Sequence, residues 1–469
     1  MDKSFFEGKR VTVFGLGLHG GGVGIVRFLA SCGAKVIVTD IKTKEQLSAS
    51  IEKLKDLKNI EYILGQHRTE DFTKVDMIIK SPPIPWNNKH IKLALEHKIP
   101  VEMDSSLFFK MCENPIIGVT GTKGKTTTAS MIYEILKAAE KNPVRVGIGQ
   151  ASVLDKLDLL KKNSAVVAEL SSWRLSALGR AQISPKIAVF VNFIPDHLNY
   201  YSSVDSYLKD KKNIFLYQNP NDWLVINEDD EVLKKVSGEA KSQVLKFSAR
   251  PVRKGMSVFF DNGAIYLNNG IDSKKVMDAK EIKIRGRHNV YNIMAAIGAA
   301  FAFGVDIENI RKALVEFRGI AHRLEFVREK NGVVYYNDTA ATIPESVISA
   351  IESFTEPVIL IAGGNDKNLD FSGLGKTIAE KIKGIVLLKG NATDKLIDQI
   401  RRNLSANDKD REFKVVDSME KAVEEAARVA EPGNIVLLSP GAASFGLFLN
   451  EFDRGDKFKE AVSRLKLKH

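Results

Sequence analysis

The sequence has few cysteines and no apolar run of membrane-spanning length in its 469 residues. Its two cysteines, Cys32 and Cys112, cannot form a disulfide framework or a four-ligand zinc site, which favours reduced thiols in a cytoplasmic protein. Residues 1–7 lack the apolar core of a signal peptide, so no export is expected. The longest apolar stretch, residues 293–305, is shorter than the roughly 20 residues that a membrane span needs. We therefore interpret this stretch as a buried helix.

The composition shows no strong bias either. Hydrophobic residues make up 44% and charged residues 27%, which are ordinary values for a folded protein and exclude collagen and low-complexity disorder. The length favours about three domains. Lys and Arg outnumber Asp and Glu by 69 to 58, and this net charge of +11 is compatible with binding nucleic acid or nucleotide phosphates. Charge alone does not choose between these two kinds of partner.

Short apolar runs rich in Val and Ile alternate with helical patterns along the chain. This alternation predicts an α/β fold with parallel sheets and helical crossovers. Because ligands bind beyond the carboxyl ends of parallel strands, the polar residues that follow these runs are candidates for the chemistry. The predicted strands are Arg10–Phe14, Lys35–Thr39, Asp76–Ile79, Pro115–Val119, Ala165–Ala168, Ile187–Val191, Val333–Tyr336, Val358–Ile361, Ile385–Leu388 and Ile435–Leu438.

Two breaks divide the chain into three predicted domains. The segment 112–115 interrupts a helical pattern directly before a strand, and the segment 317–323 separates a long helical region from another strand. Proline and glycine between residues 251 and 271 predict hairpins, which would make the sheet of the second domain mixed. The predicted domains are a Rossmann-like domain at 1–113, a P-loop ATPase-like domain with a mixed sheet at 114–318 and a second Rossmann-like domain at 319–469.

A glycine-rich turn, Gly15-Leu16-Gly17 with Gly20, joins the first predicted strand to a helix, and Asp40 follows the next strand. Small residues let the backbone approach a diphosphate at the amino end of a helix, and the acid can accept a hydrogen bond from a ribose hydroxyl. The ligand would be either the dinucleotide cofactor of a dehydrogenase or a nucleoside-diphosphate sugar. A tight turn without a ligand is the remaining alternative.

A second turn, residues 120–128, has the composition of a phosphate-binding loop. Gly121 and Gly124 let amide groups face phosphate oxygens, Lys125 can neutralise the β- and γ-phosphates, and the Thr126 hydroxyl can bind Mg²⁺. The spacing is a variant, because the common pattern places its first glycine two residues earlier in the chain. A phosphate site explains this strand-loop-helix context better than a structural turn does.

Other polar groups follow predicted strands. Glu169 could coordinate Mg²⁺ or hold its water shell, although a solvent-facing carboxylate is the simpler alternative. Asp196-His197 follows the next strand, and Lys211 and Lys212 lie soon after it. Taken singly, such a histidine is more often structural and such lysines are more often solvated. Further motifs at 286–292, 321–325, 337–342, 363–367 and 439–444 are individually typical of caps or turns.

Taken in order, these motifs resemble the Mur ligase family of ATP-dependent ligases. The resemblance extends over all three predicted domains. In the third domain, the residues around Asp338, Thr342 and Ser444 are similar to those of the family members that add glutamate. The motifs that carry the family resemblance are the loop at 120–127, Glu169-Leu-Ser-Ser, Asp196-His197, His288-Asn289-x-x-Asn292 and His322-Arg323-x-Glu325.

The resemblance implies that the protein binds ATP and two Mg²⁺ ions. Lys125, His197, Lys211, Arg323 and Lys367 would then be the catalytic residues. Carbamylation of Lys211, which the family pattern selects over its neighbour, would turn a cation that repels Mg²⁺ into an anionic oxygen ligand. By resemblance, ATP is bound by Gly121, Thr122, Lys123, Gly124, Lys125, Thr126, Thr127, Asn292, Arg323 and Asp338, and Mg²⁺ by Thr126, Glu169, His197 and Lys211.

The same resemblance implies the substrates UDP-N-acetylmuramoyl-L-alanine and glutamate, in the synthesis of peptidoglycan precursors in the cytoplasm. A substrate carboxylate would attack the γ-phosphate of ATP, and the amine of glutamate would then attack the acyl phosphate. The protein would act as a monomer, without nucleic acid or a membrane span. By resemblance, the substrate-binding residues are Gly15, Leu16, Gly17, Gly20, Asp40, Ser81, Pro82, Pro83, Ser171, Thr342, Lys367 and Ser444.

Several positions depart from the family pattern and leave alternatives open. Ala340 stands where the glutamate-adding members usually have a lysine, and Arg174 stands where glutamine is usual. A relative that adds L-glutamate would share every phosphate motif, so D-glutamate is expected and L-glutamate is the alternative. A folylpolyglutamate-type ligase has no use for the first domain. An NAD(P)-dependent dehydrogenase leaves Lys125 and Glu169 without a role, and a nucleic-acid binder draws only on the net charge.

Overall fold

The computed structural model describes residues 1–18, 20–148, 151–195, 200–252, 254–284, 286–366, 369–405 and 412–465. Two compact units make up the chain, Met1–Glu281 with Val290–Val315 and Ile282–Asn289 with Glu316–His469. The described strands form three sheets, two in the first unit and one in the second. This arrangement confirms the predicted α/β class. Within the described residues, no helix combines the length and hydropathy needed to cross a bilayer.

The first sheet is parallel throughout and lies in the first unit. Its elements are a 3-10 helix (Lys3–Phe6), β1 (Arg10–Phe14), α1 (Gly21–Ser31), β2 (Lys35–Asp40), α2 (Ser48–Glu52), β3 (Ile60–Leu64), α3 (Glu70–Thr73), β4 (Met77–Lys80), α4 (Lys89–Glu96), β5 (Val101–Glu102) and α5 (Asp104–Met111). The strand order is β3-β2-β1-β4-β5, so the winding direction reverses between β1 and β4. A crevice at such a reversal is where open α/β sheets bind ligands.

The second sheet of this unit is mixed. Its elements are β6 (Ile116–Thr120), α6 (Lys125–Ala138), β7 (Val144–Val146), a 3-10 helix (Leu154–Leu159), β8 (Val166–Glu169), α7 (Ser172–Ala181), β9 (Ile187–Phe190), α8 (Val204–Lys212), β10 (Trp223–Asn227), α9 (Glu231–Val236), β11 (Gln243–Ser248), β12 (Ser257–Asp261), β13 (Ala264–Asn268), β14 (Ser273–Asp278), α10 (Arg287–Ala302) and α11 (Ile307–Glu316), with short 3-10 turns at Ser237–Glu239 and Ala279–Glu281. The strand order is β14-β13-β12-β11-β10-β9-β6-β8-β7. Among these described strands, the antiparallel pairs are β12–β13 and β13–β14, which confirms the predicted hairpins.

Helix α10 contains most of the apolar stretch that we interpreted as a buried helix, and Ala295, Ala296, Ala299 and Ala300 within it are fully buried. Gly298 lies against the second sheet, where an added Cβ would come within 2.9 Å of Val225 and 2.8 Å of Leu245. A larger residue would force the helix away from the sheet, because protein interiors are close-packed. The missing side chain therefore permits the close approach of helix and sheet.

The sheet of the second unit has the order β15-β16-β20-β17-β18-β19 and is parallel except for the β15–β16 pair. Its elements are β15 (Glu325–Lys330), β16 (Val333–Asn337), α12 (Pro344–Ile351), β17 (Val358–Gly363), α13 (Ser372–Lys381), β18 (Ile382–Leu388), α14 (Asn391–Asn403), β19 (Lys414–Val416), α15 (Met419–Val429), β20 (Ile435–Leu438) and α16 (Glu451–Arg464). Successive residues of β17 pack alternately into two apolar clusters, one on each face of the sheet. Both faces are therefore covered, as expected for a largely parallel sheet.

Candidate active site

The phosphate-type loop connects β6 to α6 and lies at the carboxyl end of the second sheet. Helix α6 begins at Lys125, directly after Gly124, which adopts a left-handed conformation with φ of 81°. A Cβ at Gly124 would lie 2.3 Å from the amide oxygen of Asn292, so glycine is required there for both conformation and space. The amide groups at the amino end of α6 form a site that suits an anion.

The side chain of Asn192, directly after β9, holds this loop in shape. Its Oδ1 accepts hydrogen bonds from the backbone N–H groups of Thr122 and Lys123, at 3.0 and 2.9 Å, and its Nδ2 donates to the carbonyl of Lys123 at 3.0 Å. No role was predicted for Asn192 from the sequence. The only available signal was a polar residue at the end of a predicted strand. Asn192 therefore belongs with the loop as a supporting residue.

Two lysines reach the backbone of the loop. The Nζ of Lys125 donates to the carbonyls of Gly121 and Thr122, both at 3.0 Å. The Nζ of Lys211, on α8, donates to the carbonyl of Gly121 at 2.9 Å and is almost completely buried. Lys212 instead pairs with Glu239 at 2.6 Å. Of the two adjacent lysines on α8, Lys211 is thus the one that lies beside the loop.

Glu169 ends β8 and lies opposite Val119 of β6, next to the base of the loop. Its Oε2 atom is buried and has no hydrogen-bond partner among the described residues. A buried oxygen without a partner is uncommon in folded proteins and calls for an explanation such as an ion. Carboxylate and hydroxyl oxygens are the ligands that Mg²⁺ prefers, and Thr126 lies in the first turn of α6. The residues present therefore fit a Mg²⁺ ion bound beside phosphate.

Asn292, on α10, lies beneath the loop with 2% of its surface exposed. Its Oδ1 accepts a hydrogen bond from the Thr128 hydroxyl at 3.3 Å and, as noted above, approaches Gly124. The expected contact with the adenine nucleotide stays a prediction. The remaining loop side chains expected to bind ATP, those of Lys123, Thr126 and Thr127, are half-buried or exposed.

At the carboxyl end of the first sheet, the glycine-rich turn contacts the residue after β4. The Ser81 hydroxyl donates to the carbonyl of Gly15, and a Cβ at Gly15 would lie 2.9 Å from that hydroxyl. Asp40 accepts hydrogen bonds from the N–H groups of Gly17 at 3.1 Å and Lys42 at 3.0 Å. In this structure the Asp40 carboxylate thus holds the turn, and its expected contact with a ribose hydroxyl stays a prediction.

The other residues expected to bind the sugar nucleotide lie at the same edge. Gly20 caps the amino end of α1 in a left-handed conformation with φ of 91°, and Leu16 is buried in the apolar core. Pro82 and Pro83 continue the turn that begins at Ser81. In the second sheet, Ser171 caps α7 and accepts a hydrogen bond from the Arg174 N–H.

In the second unit, Asp338 follows β16 and is 8% exposed. Its two carboxylate oxygens accept hydrogen bonds from the Leu324 N–H at 3.1 Å and from the Ser439 hydroxyl at 2.8 Å. Burial raises the pKa of Asp338 to about 7, against the effect of these hydrogen bonds and of the Arg323 charge. The carboxylate ties the loops before β15 and after β20 to the end of β16.

The His322-Arg323-x-Glu325 motif is a strained loop. His322 has a positive φ of 68°, which is uncommon for a residue other than glycine. Glu325 Oε2 accepts hydrogen bonds from the His322 N–H at 2.8 Å and from the Asn337 side chain at 3.0 Å. Arg323 is exposed. His322 and Glu325 therefore hold the loop that presents the arginine.

Arg454, on α16, is completely buried beneath the loops that follow β16 and β20. Its guanidinium donates to the Thr339 hydroxyl at 2.9 Å, the Thr339 carbonyl at 3.0 Å and the Ala442 carbonyl at 3.1 Å. Burial lowers the pKa of Arg454 to about 10. The two loops that it joins carry Thr342 and Ser444, which were expected to bind the amino acid. No role was predicted for Arg454 from the sequence, which does not show that this side chain is buried.

The described candidate residues lie in three groups, one at each sheet. Two candidate residues, His197 and Lys367, lie outside the described residues, so their roles stay predictions from the sequence. Gly121, Lys125, Glu169, Lys211 and Asn292 meet at the loop of the second sheet. At the first sheet the group is Gly15, Leu16, Gly17, Gly20, Asp40, Ser81, Pro82 and Pro83, and in the second unit it is Arg323, Asp338, Thr342 and Ser444.

Three family models match consecutive parts of the chain. Residues 9–102 match the N-terminal domain of MurD-like Mur ligases. Residues 119–300 match the Mur ligase middle domain. Residues 322–441 match the glutamate ligase domain of Mur ligases. Each match coincides with one of the three sheets, so the similarity covers the elements that carry every group of candidate residues.

Curated relatives share the whole length of the chain. A UDP-N-acetylmuramoylalanine–D-glutamate ligase of Roseiflexus is 40% identical over 97% of this chain and 98% of that protein. Enzymes with the same name from Borreliella afzelii and Clostridioides difficile are 39% and 37% identical, with coverage of 97% or more of each chain. Among solved structures, a UDP-N-acetylmuramate–alanine ligase from Thermotoga maritima is similar with a TM-score of 0.55 at 19% identity, covering 97% of this chain and 99% of that one. The structural likeness shows the fold alone.

Proposed function

The chain belongs to the Mur ligase family, and we propose that it joins D-glutamate to UDP-N-acetylmuramoyl-alanine. It is an ATP-dependent ligase that forms an amide bond in peptidoglycan synthesis. The full-length similarity to relatives named for this reaction supports the choice of substrates. A dehydrogenase would leave the phosphate loop of β6 without a role, and a nucleic-acid binder would leave all three groups of residues without one.

The phosphate loop with its neighbouring carboxylate is the observation that carries the proposal within the structure. Gly121, Gly124 and Lys125 suit the phosphates of ATP, and the buried Glu169 oxygen without a partner suits Mg²⁺. We propose that Thr126 and Glu169 hold one Mg²⁺ ion. When bound, Mg²⁺ offsets negative charge on the phosphates and polarises the phosphoryl group.

A second Mg²⁺ ion requires a further anionic ligand, and we propose that Lys211 supplies it after carbamylation. The amine would add to carbon dioxide and lose a proton, which leaves a carbamate with two oxygen ligands. The burial of Lys211 beside the Gly121 carbonyl supports this role, since a carbamate there would lie next to the phosphates. His197 completes this ligand set in the proposal.

The reaction proceeds in two steps. The alanine carboxylate of the sugar nucleotide attacks the γ-phosphate of ATP, which releases ADP and forms an acyl phosphate. The amine of D-glutamate then attacks the acyl carbon, and phosphate and a proton leave as the amide forms. During the first step, Lys125 and the loop amides bind the phosphates, and Asn192 holds the loop in position.

The remaining candidate residues are proposed to bind the three substrates. The turn of Gly15 to Gly20, together with Asp40 and the residues Ser81 to Pro83, receives the UDP part, and Ser171 binds the same substrate. Asn292, Arg323 and Asp338 receive the adenine nucleotide. Thr342, Lys367 and Ser444 receive the glutamate.

The experiment that tests the proposal compares the two enantiomers of glutamate. Purified protein is given ATP, Mg²⁺ and UDP-N-acetylmuramoyl-L-alanine with D-glutamate or L-glutamate, and released phosphate is measured. We expect phosphate, ADP and the sugar-nucleotide dipeptide in equal amounts with D-glutamate only. Turnover with L-glutamate alone would contradict the proposed specificity, and the absence of turnover with either would contradict the proposed reaction.

A further inference from the structure

Trp86 links the turn after β4 to helix α7 of the second sheet. Its indole contacts two cations, with the Lys80 Nζ 4.6 Å and the Arg180 Cζ 4.2 Å from the ring centroids. Its Nε1 donates to the Ser176 hydroxyl at 2.8 Å. Ser176 and Arg180 both belong to α7, so a single side chain connects that helix with the turn.

The Ser176 hydroxyl is the hydrogen-bond acceptor for the Trp86 indole. It donates to the Trp173 carbonyl at 2.6 Å and accepts from Trp86. A hydroxyl that donates in one direction and accepts in the other has a defined orientation. The contact is therefore specific for a ring that carries an N–H donor.

The buried side chain of Lys80 holds the turn of Ser81 to Ile84 through its backbone carbonyls. It is 1% exposed, and its ammonium donates to the Ile84 carbonyl at 2.9 Å and to the Ser81 carbonyl at 3.4 Å. Burial, with a smaller contribution from Arg180, lowers the pKa of Lys80 to about 7. Asp104 and Asp210 act in the opposite direction. A buried ammonium held by carbonyls and an aromatic face is costly, so its presence indicates that the shape of this turn matters.

The two ends of the link lie at proposed substrate groups. At one end, the Ser81 hydroxyl donates to the carbonyl of Gly15, at the first glycine of the diphosphate-type turn. At the other end, α7 begins at Ser172, three residues after Glu169. The path from Gly15 through Ser81, Trp86 and α7 thus runs from the proposed sugar-nucleotide site to the proposed metal site.

We propose that Trp86 is a positioning residue for the nucleoside-diphosphate sugar, because it fixes the turn of Ser81 to Ile84 against α7 in the conformation that receives this substrate. The inference rests on the proposed function for the identity of the substrate. It goes beyond that function by giving a role to Trp86, Lys80 and Arg180, none of which was a candidate from the sequence.

Steady-state kinetics of two variants test the inference. Trp86→Leu removes both cation contacts and the N–H donor, and Trp86→Phe removes the donor while keeping a ring. For Trp86→Leu we expect the KM for UDP-N-acetylmuramoyl-L-alanine to rise about tenfold, with kcat and the KM for ATP changed less than about twofold. Trp86→Phe should lie between Trp86→Leu and the parent. Trp223→Phe, on β10, is the matched control and should behave as the parent does.

A spectroscopic experiment gives a second readout that needs no turnover. The double variant Trp173→Phe, Trp223→Phe leaves Trp86 as the only tryptophan in the chain. Titration with UDP alone should change its fluorescence in a saturable way, and titration with ATP should leave it unchanged. If the protein lacks ligase activity but this UDP response is present, the proposed function fails and the role of Trp86 stands.

Two results would overturn the inference. One is a parent-like KM for the sugar nucleotide in Trp86→Leu. The other is Trp86 fluorescence that does not respond to UDP in a protein with normal ligase activity. If Trp86→Leu does not fold, Lys80→Met takes its place, because it keeps the length of the side chain and removes only the ammonium inside the turn. The same rise in KM is expected from that variant, and its absence would also overturn the inference.

Discussion

The phosphate loop of the second sheet and the carboxyl end of the third sheet (β15 to β20), here called the Asp338 edge, both bury charged groups. They differ in how the hydrogen bonds of these groups are satisfied. At the loop, Lys125 and Lys211 donate to backbone carbonyls, and Glu169 keeps a buried oxygen without a partner among the described residues. At the Asp338 edge, the carboxylate accepts a hydrogen bond on each oxygen, and Arg454 donates three. The loop keeps a carboxylate oxygen without a protein partner, whereas Asp338 and Arg454 already hold the loops around them.

This difference separates function from stability. A charged group that binds a ligand contributes little to the fold, so its removal should affect turnover far more than unfolding. A buried charged group whose hydrogen bonds are all internal should show the reverse, since its removal leaves buried acceptors without donors. Substitutions at the two edges can therefore test whether this difference between function and stability holds.

The largest effect should come from Lys125→Ala at the phosphate loop. Loss of a cation at the developing charge of a phosphoryl transfer should lower kcat about 1,000-fold. The thermal midpoint should stay within about 2 °C of the parent, because Lys125 is only partly buried and its hydrogen bonds to Gly121 and Thr122 stay within its own loop. Phosphate release and differential scanning calorimetry measure the two quantities.

Lys137→Ala, at the far end of the same helix and largely exposed, is the matched control and should change neither quantity. Retention of normal turnover by Lys125→Ala would contradict the reading of 120–128 as a phosphate loop. A large fall in its thermal midpoint would instead show that the loop depends on this lysine for its structure. The contrast between the two edges would then fail at its first point.

Arg454→Met should show the opposite balance at the other edge. The variant leaves the oxygens of Thr339 and the carbonyl of Ala442 without their donor, which should cost about 3 kcal/mol of unfolding free energy. The thermal midpoint should fall by about 5 °C or more. Arg464→Met, on the same helix but largely exposed, is the matched control and should unfold as the parent does.

ATP binding distinguishes a local effect from a general one. Below its unfolding transition, Arg454→Met should bind ATP at the phosphate loop as the parent does, because the buried guanidinium is not part of that loop. A thermal midpoint equal to the parent's would contradict the structural role of Arg454. It would also remove the contrast between an edge with an unpartnered carboxylate oxygen and an edge whose buried charges hold its own loops.

The sequence predicted the bounds of the strands more accurately than the side-chain contacts at the strand ends. The bounds of β1 and β20 match the prediction to the residue, because short apolar runs between polar residues have clear limits. Strand β15 was missed, since its residues are only partly buried and largely charged in a hairpin at the sheet edge. Strand β15 pairs antiparallel with β16, and this pairing cannot be predicted from the residue pattern of β15 alone.

Side-chain roles were predicted where a local pattern reveals them and missed where they depend on distant contacts. The glycines and Lys125 were identified because a phosphate loop has a local pattern that can be read from one segment. Asn192 and Arg454 were not assigned roles, because their hydrogen bonds join segments that are distant in the chain. An arginine among charged residues of a helix predicts a solvated side chain, and only the fold shows that Arg454 is buried.

The last prediction concerns the pH dependence of stability at Asp338. Burial raises its pKa to about 7 in the folded protein, compared with 3.8 for an ordinary aspartate. Between these values the folded state holds a proton that the unfolded state has lost, so this carboxyl destabilises the fold increasingly as the pH rises.

Asp338→Asn keeps the size of the side chain and cannot titrate. The unfolding free energy of the parent, relative to that of Asp338→Asn, should therefore fall by about 3 kcal/mol from pH 4 to pH 7, and the thermal midpoint should fall by several degrees. Asp394→Asn, on the exposed side of α14, should leave the parent's pH profile unchanged. A difference between parent and Asp338→Asn that stays constant over this range would show that Asp338 is ionised throughout, held so by Arg323 and its two donors. The Asp338 edge would then keep a buried negative charge available to a ligand, and it would resemble the phosphate loop more closely than its hydrogen bonds indicate.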